Sequence, residues 1–253
     1  MQEGIKVTLS PEIIGNLWGL PITNTLLMSW AVIIVLGVLA YVIGSNVKLL
    51  PGRLQTLLEW LFSFVYDYIT ETLESRDLAR KFFPLLLTIF LFIFTANMLE
   101  FTPGIGSVGF FSAGGGPSFG GQEFIPLFRS ANTDLNATLA LAIISFFVIE
   151  FTGVFVIGAA KYAGKFLNFH SVMGFVVGII ELFSEIARLI SFSFRLFGNI
   201  FAGEVLILVV GHFVPYFLPV PLMIFEVFVG FIQAAIFALL TLFFIKIAIT
   251  EPH

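Results

Sequence analysis

The sequence predicts an all-α polytopic membrane protein. It has about five membrane helices, the last two long and strongly tilted as a hairpin, plus one amphipathic interfacial helix. Three observations carry this reading. Apolar residues make up 58% of the 253 and charged residues only 11%, against roughly 25% charged in a soluble domain. Five stretches are long and apolar enough to cross about 30 Å of hydrocarbon, which takes about 20 helical residues. One further stretch carries apolar residues at three- and four-residue steps with acids between them, the pattern of a helix lying in an interface. A soluble chain of 28.0 kDa with 33 phenylalanines and a mean hydropathy of +1.05 would expose much of that surface as an aggregating patch.

The elements follow in order within a single membrane domain, residues 1–253. The N-terminus carries Glu3 and Glu12 and no basic leader. The charge-free run from Ile13 to Val47 is longer than a signal-peptide core and reads as a retained anchor. Its crossing spans 22–44, capped by Thr23 or Asn24 and ended by Gly44-Ser45-Asn46. Residues 53–80 form the interfacial helix, with Leu54, Leu57, Leu58, Leu61, Val65, Tyr68 and Ile69 on its apolar side. The second crossing spans 82–101, between Arg80-Lys81 and Pro103. Residues 102–134 are an outer loop. Its stretch 104–121 holds eight glycines but no G-x-x-x-x-G-K-[ST], so it is no phosphate cradle. The third crossing spans 135–160 and contains Glu150, for which a structural and a transport role weigh equally. The fourth spans 166–210 and the fifth 221–249, after the breaker Pro215 to Pro219.

Charge and composition exclude several classes. The net charge of −4 comes with no basic patch, so nucleic acid is not a partner. Zero cysteines exclude disulfides, iron–sulfur clusters and thiol chemistry. His170, His212 and His253 lack ligand spacing, so no metal is expected, and no motif calls for a cofactor. Eight of the 12 basic residues (Lys48, Arg53, Arg76, Arg80, Lys81, Lys161, Lys165 and Lys246) fall on one side of a five-span topology, and only Lys6 and Arg129 on the other. The first side is therefore cytoplasmic, with the C-terminus, and the N-terminus lies outside.

Arg188 and Arg195 remain inside the fourth span. As a helix, residues 166–210 would be about 67 Å long. From Ile179 to Phe197 no proline or glycine offers a turn, so one long inclined helix is expected rather than two crossings. Glu181, Ser184, Glu185, Arg188, Ser191, Arg195 and Asn199 fall within an arc of about 120° on it. Glu204 stands alone on the opposite side from Arg195. Glu181, Glu185 and Arg188 fit internal pairing as well as channel lining. Arg195 has no acid three or four residues away in its own helix, and a charge at mid-depth costs about 2.5–3.5 kcal/mol even on a lenient scale. Its counter-charge must come from another helix or subunit. Arginine stays protonated, so proton carriage falls to Glu100, Glu150, Glu204 and Glu226. Glu226, Gly230 and Gln233 share one face of the fifth span. Asn97 and Glu100 lie one turn apart in the second, where Glu100 serves either a proton path or the headgroup boundary.

The run Ser191-Phe192-Ser193-Phe194-Arg195-Leu196-Phe197-Gly198-Asn199-Ile200-Phe201-Ala202-Gly203-Glu204 resembles the signature of subunit a of F-type (rotary) ATP synthases. The likeness extends to Glu181, Ser184-Glu185-Ile186-Ala187-Arg188, Gln233-Ala234, Asn97 to Pro103, and Asp134 to Leu139. It covers most of the chain from about Leu50. The resemblance implies a proton-translocating stator subunit of the Fo membrane sector, with no catalytic site of its own. Two offset half-channels would couple proton flow to rotation. Arg195 would face the carboxylate of the c-ring. Asn199, Glu204, Glu226 and Gln233 would line the outer half-channel, with Glu100 near its mouth, and Glu181, Ser184, Arg188 and Ser191 the inner one. Where many bacterial relatives carry histidine this chain has Glu226, so Glu204 and Glu226 supply two carboxyls able to share a proton. The implied partners are the ring of subunit c, peripheral-stalk subunit b, indirectly the catalytic sector, and membrane lipid. A bacterial plasma membrane fits best, and mitochondrial or chloroplast energy-transducing membranes fit the same pattern. A self-contained ion-coupled transporter is the alternative, against which stand the unbroken 179–197 stretch and the lack of an internal repeat. An intramembrane enzyme would need a histidine cluster, nucleophile motif or cofactor loop.

Overall fold

The computed structural model describes residues 10–17, 19–102, 108–112, 123–166, 172–215 and 217–250. Lys6, His170, His253, most of the glycine-rich stretch and residues 167–171 at the expected start of the fourth crossing lie outside them. The chain is all-α. Five helices are long and apolar enough to cross a membrane: α1 (Asn24–Ser45), α3 (Arg76–Glu100), α4 (Leu135–Ile157), α6 (Val172–Phe213) and α7 (Pro219–Ile249). The amphipathic α2 (Arg53–Leu73) and the short α5 (Ala159–Phe166) complete the helices among the described residues.

Several boundaries differ from the sequence expectation, each for a local reason. The apolar run from Ile13 opens as a hairpin, β1 (Ile13–Leu17) and β2 (Leu20–Thr23), antiparallel around Gly19 at φ +85°. Gly15, Gly19 and Pro21 deny the run a helix, and α1 starts only where Thr23 Oγ1 accepts the Leu26 N–H at 3.2 Å. The amphipathic segment stops at Leu73, because Glu74 takes a left-handed conformation at φ 54°. Ser75 Oγ then accepts the Leu78 N–H at 3.4 Å, so residues 76–80 belong to the next helix. The outer loop contains an antiparallel pair, β3 (Gly109–Ser112) and β4 (Glu123–Pro126). The third crossing ends at Ile157, where Gly158 at φ +97° reverses the chain into α5. Asp134 starts α4 by accepting the Asn136 N–H at 2.9 Å. In α6, 42 residues run without a break, as the missing breakers required. Pro219 opens α7, where proline's missing N–H costs no helical hydrogen bond.

The chain forms two compact units. The first comprises residues 1–39, 91–138 and 195–234. Val32, Ala96 and Ala131 are fully buried there, with Leu36, Phe92 and Leu99 packed against them. Thr25 donates to Asp134 Oδ2 at 2.9 Å, tying the start of α1 to the start of α4. The second comprises residues 40–90, 139–194 and 235–253. In it Phe192 packs on Phe237 and Phe244, with ring centroids 5.0 and 5.4 Å away. Phe83 meets Phe62 and Tyr66 edge-on.

Candidate functional site

In the first unit, four segments bring polar groups together. The last turn of α3 supplies Asn97 and Glu100, the segment after β4 supplies Arg129 and Ser130, α6 supplies Glu204, and α7 supplies Glu226. Small residues permit this approach. At Gly203 a side chain would collide with the Glu226 carboxyl, and at Gly230 it would press on Asn97. Asn97 donates to the Gly230 carbonyl at 3.0 Å and accepts from Asn132 at 2.7 Å. The amide is thereby satisfied although buried, as a polar group out of water must be.

Glu100 lies beside Ser130 within electrostatic range of Glu204, Glu226 and Arg129. Glu226 is only 5% exposed, and its Oε1 has no hydrogen-bond partner among the described residues. Glu204 is not the isolated carboxyl that its place on the helix suggested. Arg129 grips it at both oxygens, Nε to Oε1 at 3.1 Å and Nη2 to Oε2 at 2.9 Å, the two-pronged geometry in which guanidinium–carboxylate pairs are strongest. Sequence reasoning counted Arg129 only as an outer-side charge. The available signal was its solitude as the one basic residue between Lys81 and Lys161. Gln233 follows Gly230 by one turn and is half-buried.

Arg195 and Asn199, one turn apart, are exposed on α6, while Leu196 and Ile200 beside them are buried. At 100° per residue, Glu204 and Arg195 lie about 180° apart around the helix. The carboxyl cluster and the exposed arginine therefore occupy opposite sides of one helix.

The second unit holds the other residues. Arg188 donates to Glu185 at 2.6 Å and lies over the Phe244 ring, 4.1 Å from its centroid. The internal pairing left open by the sequence is thus made, between Arg188 and Glu185. Glu181 is half-buried and Ser184 and Ser191 are exposed, with Ser184 bonded to the Ile180 carbonyl at 2.9 Å. Tyr162 folds back over Gly153 and donates to Glu150 at 2.9 Å. Burial first, then the bond to Glu150, raise the Tyr162 phenol above its ordinary pKa, so it stays a donor at neutral pH. Glu185 and Arg188 also act on that phenol, which puts Glu150 in the same neighbourhood.

The family described as ATP synthase A chain matches residues 26–246 of this chain. The chain belongs to that family. Curated relatives agree along nearly the whole length. ATP synthase subunit a of Sulfurihydrogenibium sp. (strain YO3AOP1) is 31% identical over 227 residues, covering 90% of this chain and 97% of the relative. The Campylobacter concisus (strain 13826) subunit a is 30% identical, covering 87% and 88%, and that of Campylobacter curvus (strain 525.92) 32%, covering 88% of each. Within the family frame, Arg195 falls in the long α6, and the carboxyl cluster is built by α3, α6 and α7.

Proposed function

We propose that the chain is the stationary, proton-conducting subunit of the Fo membrane sector of a rotary ATP synthase. It would sit in a bacterial plasma membrane with its N-terminus outside and its C-terminus cytoplasmic, the long α6 and α7 inclined across the bilayer. Its partners would be the subunit c ring, peripheral-stalk subunit b and, indirectly, the catalytic sector that makes ATP. The observation that carries this reading is the exposure of Arg195 and Asn199 beside buried Leu196 and Ile200. An exposed guanidinium in a membrane helix is costly against lipid, so this face suits a partner surface bearing carboxylates.

The mechanism follows from charge. A ring carboxyl travels through lipid only when neutral and passes Arg195 only when ionised. Glu100, Glu204, Glu226, Gln233 and Asn199 would load it from outside. Glu181, Ser184, Arg188 and Ser191 would border the exit to the cytoplasm. Offset between the two paths prevents a direct leak, and each charge moved gains about 2.3 kcal/mol per 100 mV, delivered as torque. Arg195→Ala, assembled with its ring in vesicles, is expected to abolish ATP-driven proton pumping while ATP hydrolysis persists. Normal coupled pumping by that variant would refute the reading.

A further inference from the structure

In the first unit Glu100 lies within electrostatic range of Glu204, Glu226 and Arg129, and Arg129 binds Glu204 directly. The Arg129 and Glu204 side chains are only 10% and 22% exposed, so water screens their attraction weakly. Arg129 cannot deprotonate, and its fork occupies both oxygens of Glu204. A proton arriving on Glu204 would have to break that clamp. Glu226 differs from Glu204: it is buried against Gly203 and, like Glu100, has an oxygen without a hydrogen-bond partner among the described residues.

Resting on the half-channel reading above, we infer that Arg129 is a positioning residue that holds the Glu204 carboxyl in its fork and leaves Glu226 to take up and release the proton on the outer side. The proton reaches Glu226 from outer water and leaves for the carboxylate of the ring, while the Arg129–Glu204 pair stays clamped throughout. The segment after β4 thereby contributes a working charge to the half-channel.

The test is ATP-driven proton pumping by the assembled complex in vesicles, with ring co-purification as the assembly control. Arg129→Gln should lower pumping about tenfold, since it leaves Glu204 as an uncompensated, part-buried charge. Arg129→Lys keeps the charge without the fork and should retain about a third of the rate or more. Arg129→Gln combined with Glu204→Gln should pump several-fold faster than Arg129→Gln alone, whereas adding Glu226→Gln to Arg129→Gln should abolish the pumping that remains. Wild-type pumping by Arg129→Gln, or no recovery in the pair with Glu204→Gln, would overturn the inference. If Arg129→Gln fails to assemble, Arg129→Lys and the Glu204 pair decide. Arg195→Ala, run in parallel, separates the two levels. Were it to pump normally, the half-channel reading itself would fall. Were it inactive while Arg129→Gln is normal, only the assignment of Arg129 would.

Discussion

The two compact units handle charge in different ways. In the first, the guanidinium of Arg129 clamps Glu204, while Glu100 and Glu226 each keep a buried oxygen without a hydrogen bond among the described residues. In the second, Arg188 is held from two sides, by Glu185 at 2.6 Å and by the face of Phe244, and the Tyr162 phenol bonds one oxygen of Glu150. A buried ion pair with its hydrogen bonds completed is a fixed part of the scaffold. A buried acid with spare hydrogen-bonding capacity is poised to change its protonation, which is where perturbed groups serve function. On this contrast the Glu226 carboxyl of the first unit would exchange protons, while the Arg188–Glu185 pair of the second would stay in place.

Two substitutions probe that difference. The larger effect is expected at Gly203, where any side chain would collide with the Glu226 carboxyl. Gly203→Val should displace that carboxyl from α6 and cut proton pumping about tenfold or more, as misplacement by about 1 Å of a working group costs. Pumping at the wild-type rate with normal ring assembly would show that the Glu226 position is not critical. In the second unit, Glu185→Gln strips a part-buried guanidinium of its carboxylate, the Glu185 side chain being 4% exposed. That should destabilise the subunit by about 3–5 kcal/mol, read as a lowered midpoint for heat-induced dissociation of the complex. Replacing Arg188 and Glu185 together with Met and Gln should restore most of the loss. A large pumping defect in a fully stable Glu185→Gln variant would contradict the scaffold role.

What could be read from sequence tracks the range of the forces involved. The membrane class and the uninterrupted α6 are matters of composition and missing breakers, both local, and both emerge from the chain alone. The Glu226, Gly230 and Gln233 face is legible for the same reason, being periodicity within one helix. The Arg129 clamp on Glu204 was not, because 75 residues separate the pair and Arg129 lies in a segment with no period to aim it. Boundaries at Glu74 and Gly158 escaped notice because each turns on one left-handed residue. A left-handed glutamate carries no sequence signature at all. Tyr162 on Glu150 needed the reversal at Gly158 before the two could meet.

The smallest expected effect tests whether every ion pair of the second unit matters. Lys246 near the end of α7 reaches Glu74 at 2.9 Å, but the Glu74 side chain is 78% exposed. An exposed pair gains little from Coulomb attraction in water and loses side-chain entropy when held, so its net worth is about 0–1 kcal/mol. Lys246→Ala should therefore leave pumping unchanged and move the dissociation midpoint by less than Glu185→Gln does. Raising the salt concentration should shrink even that shift, since exposed pairs are screened, while the Glu185→Gln effect persists. If Lys246→Ala proved as damaging as the loss of Glu185, burial would not be what separates scaffold charges from incidental ones here, and the comparison between the two units would need another basis.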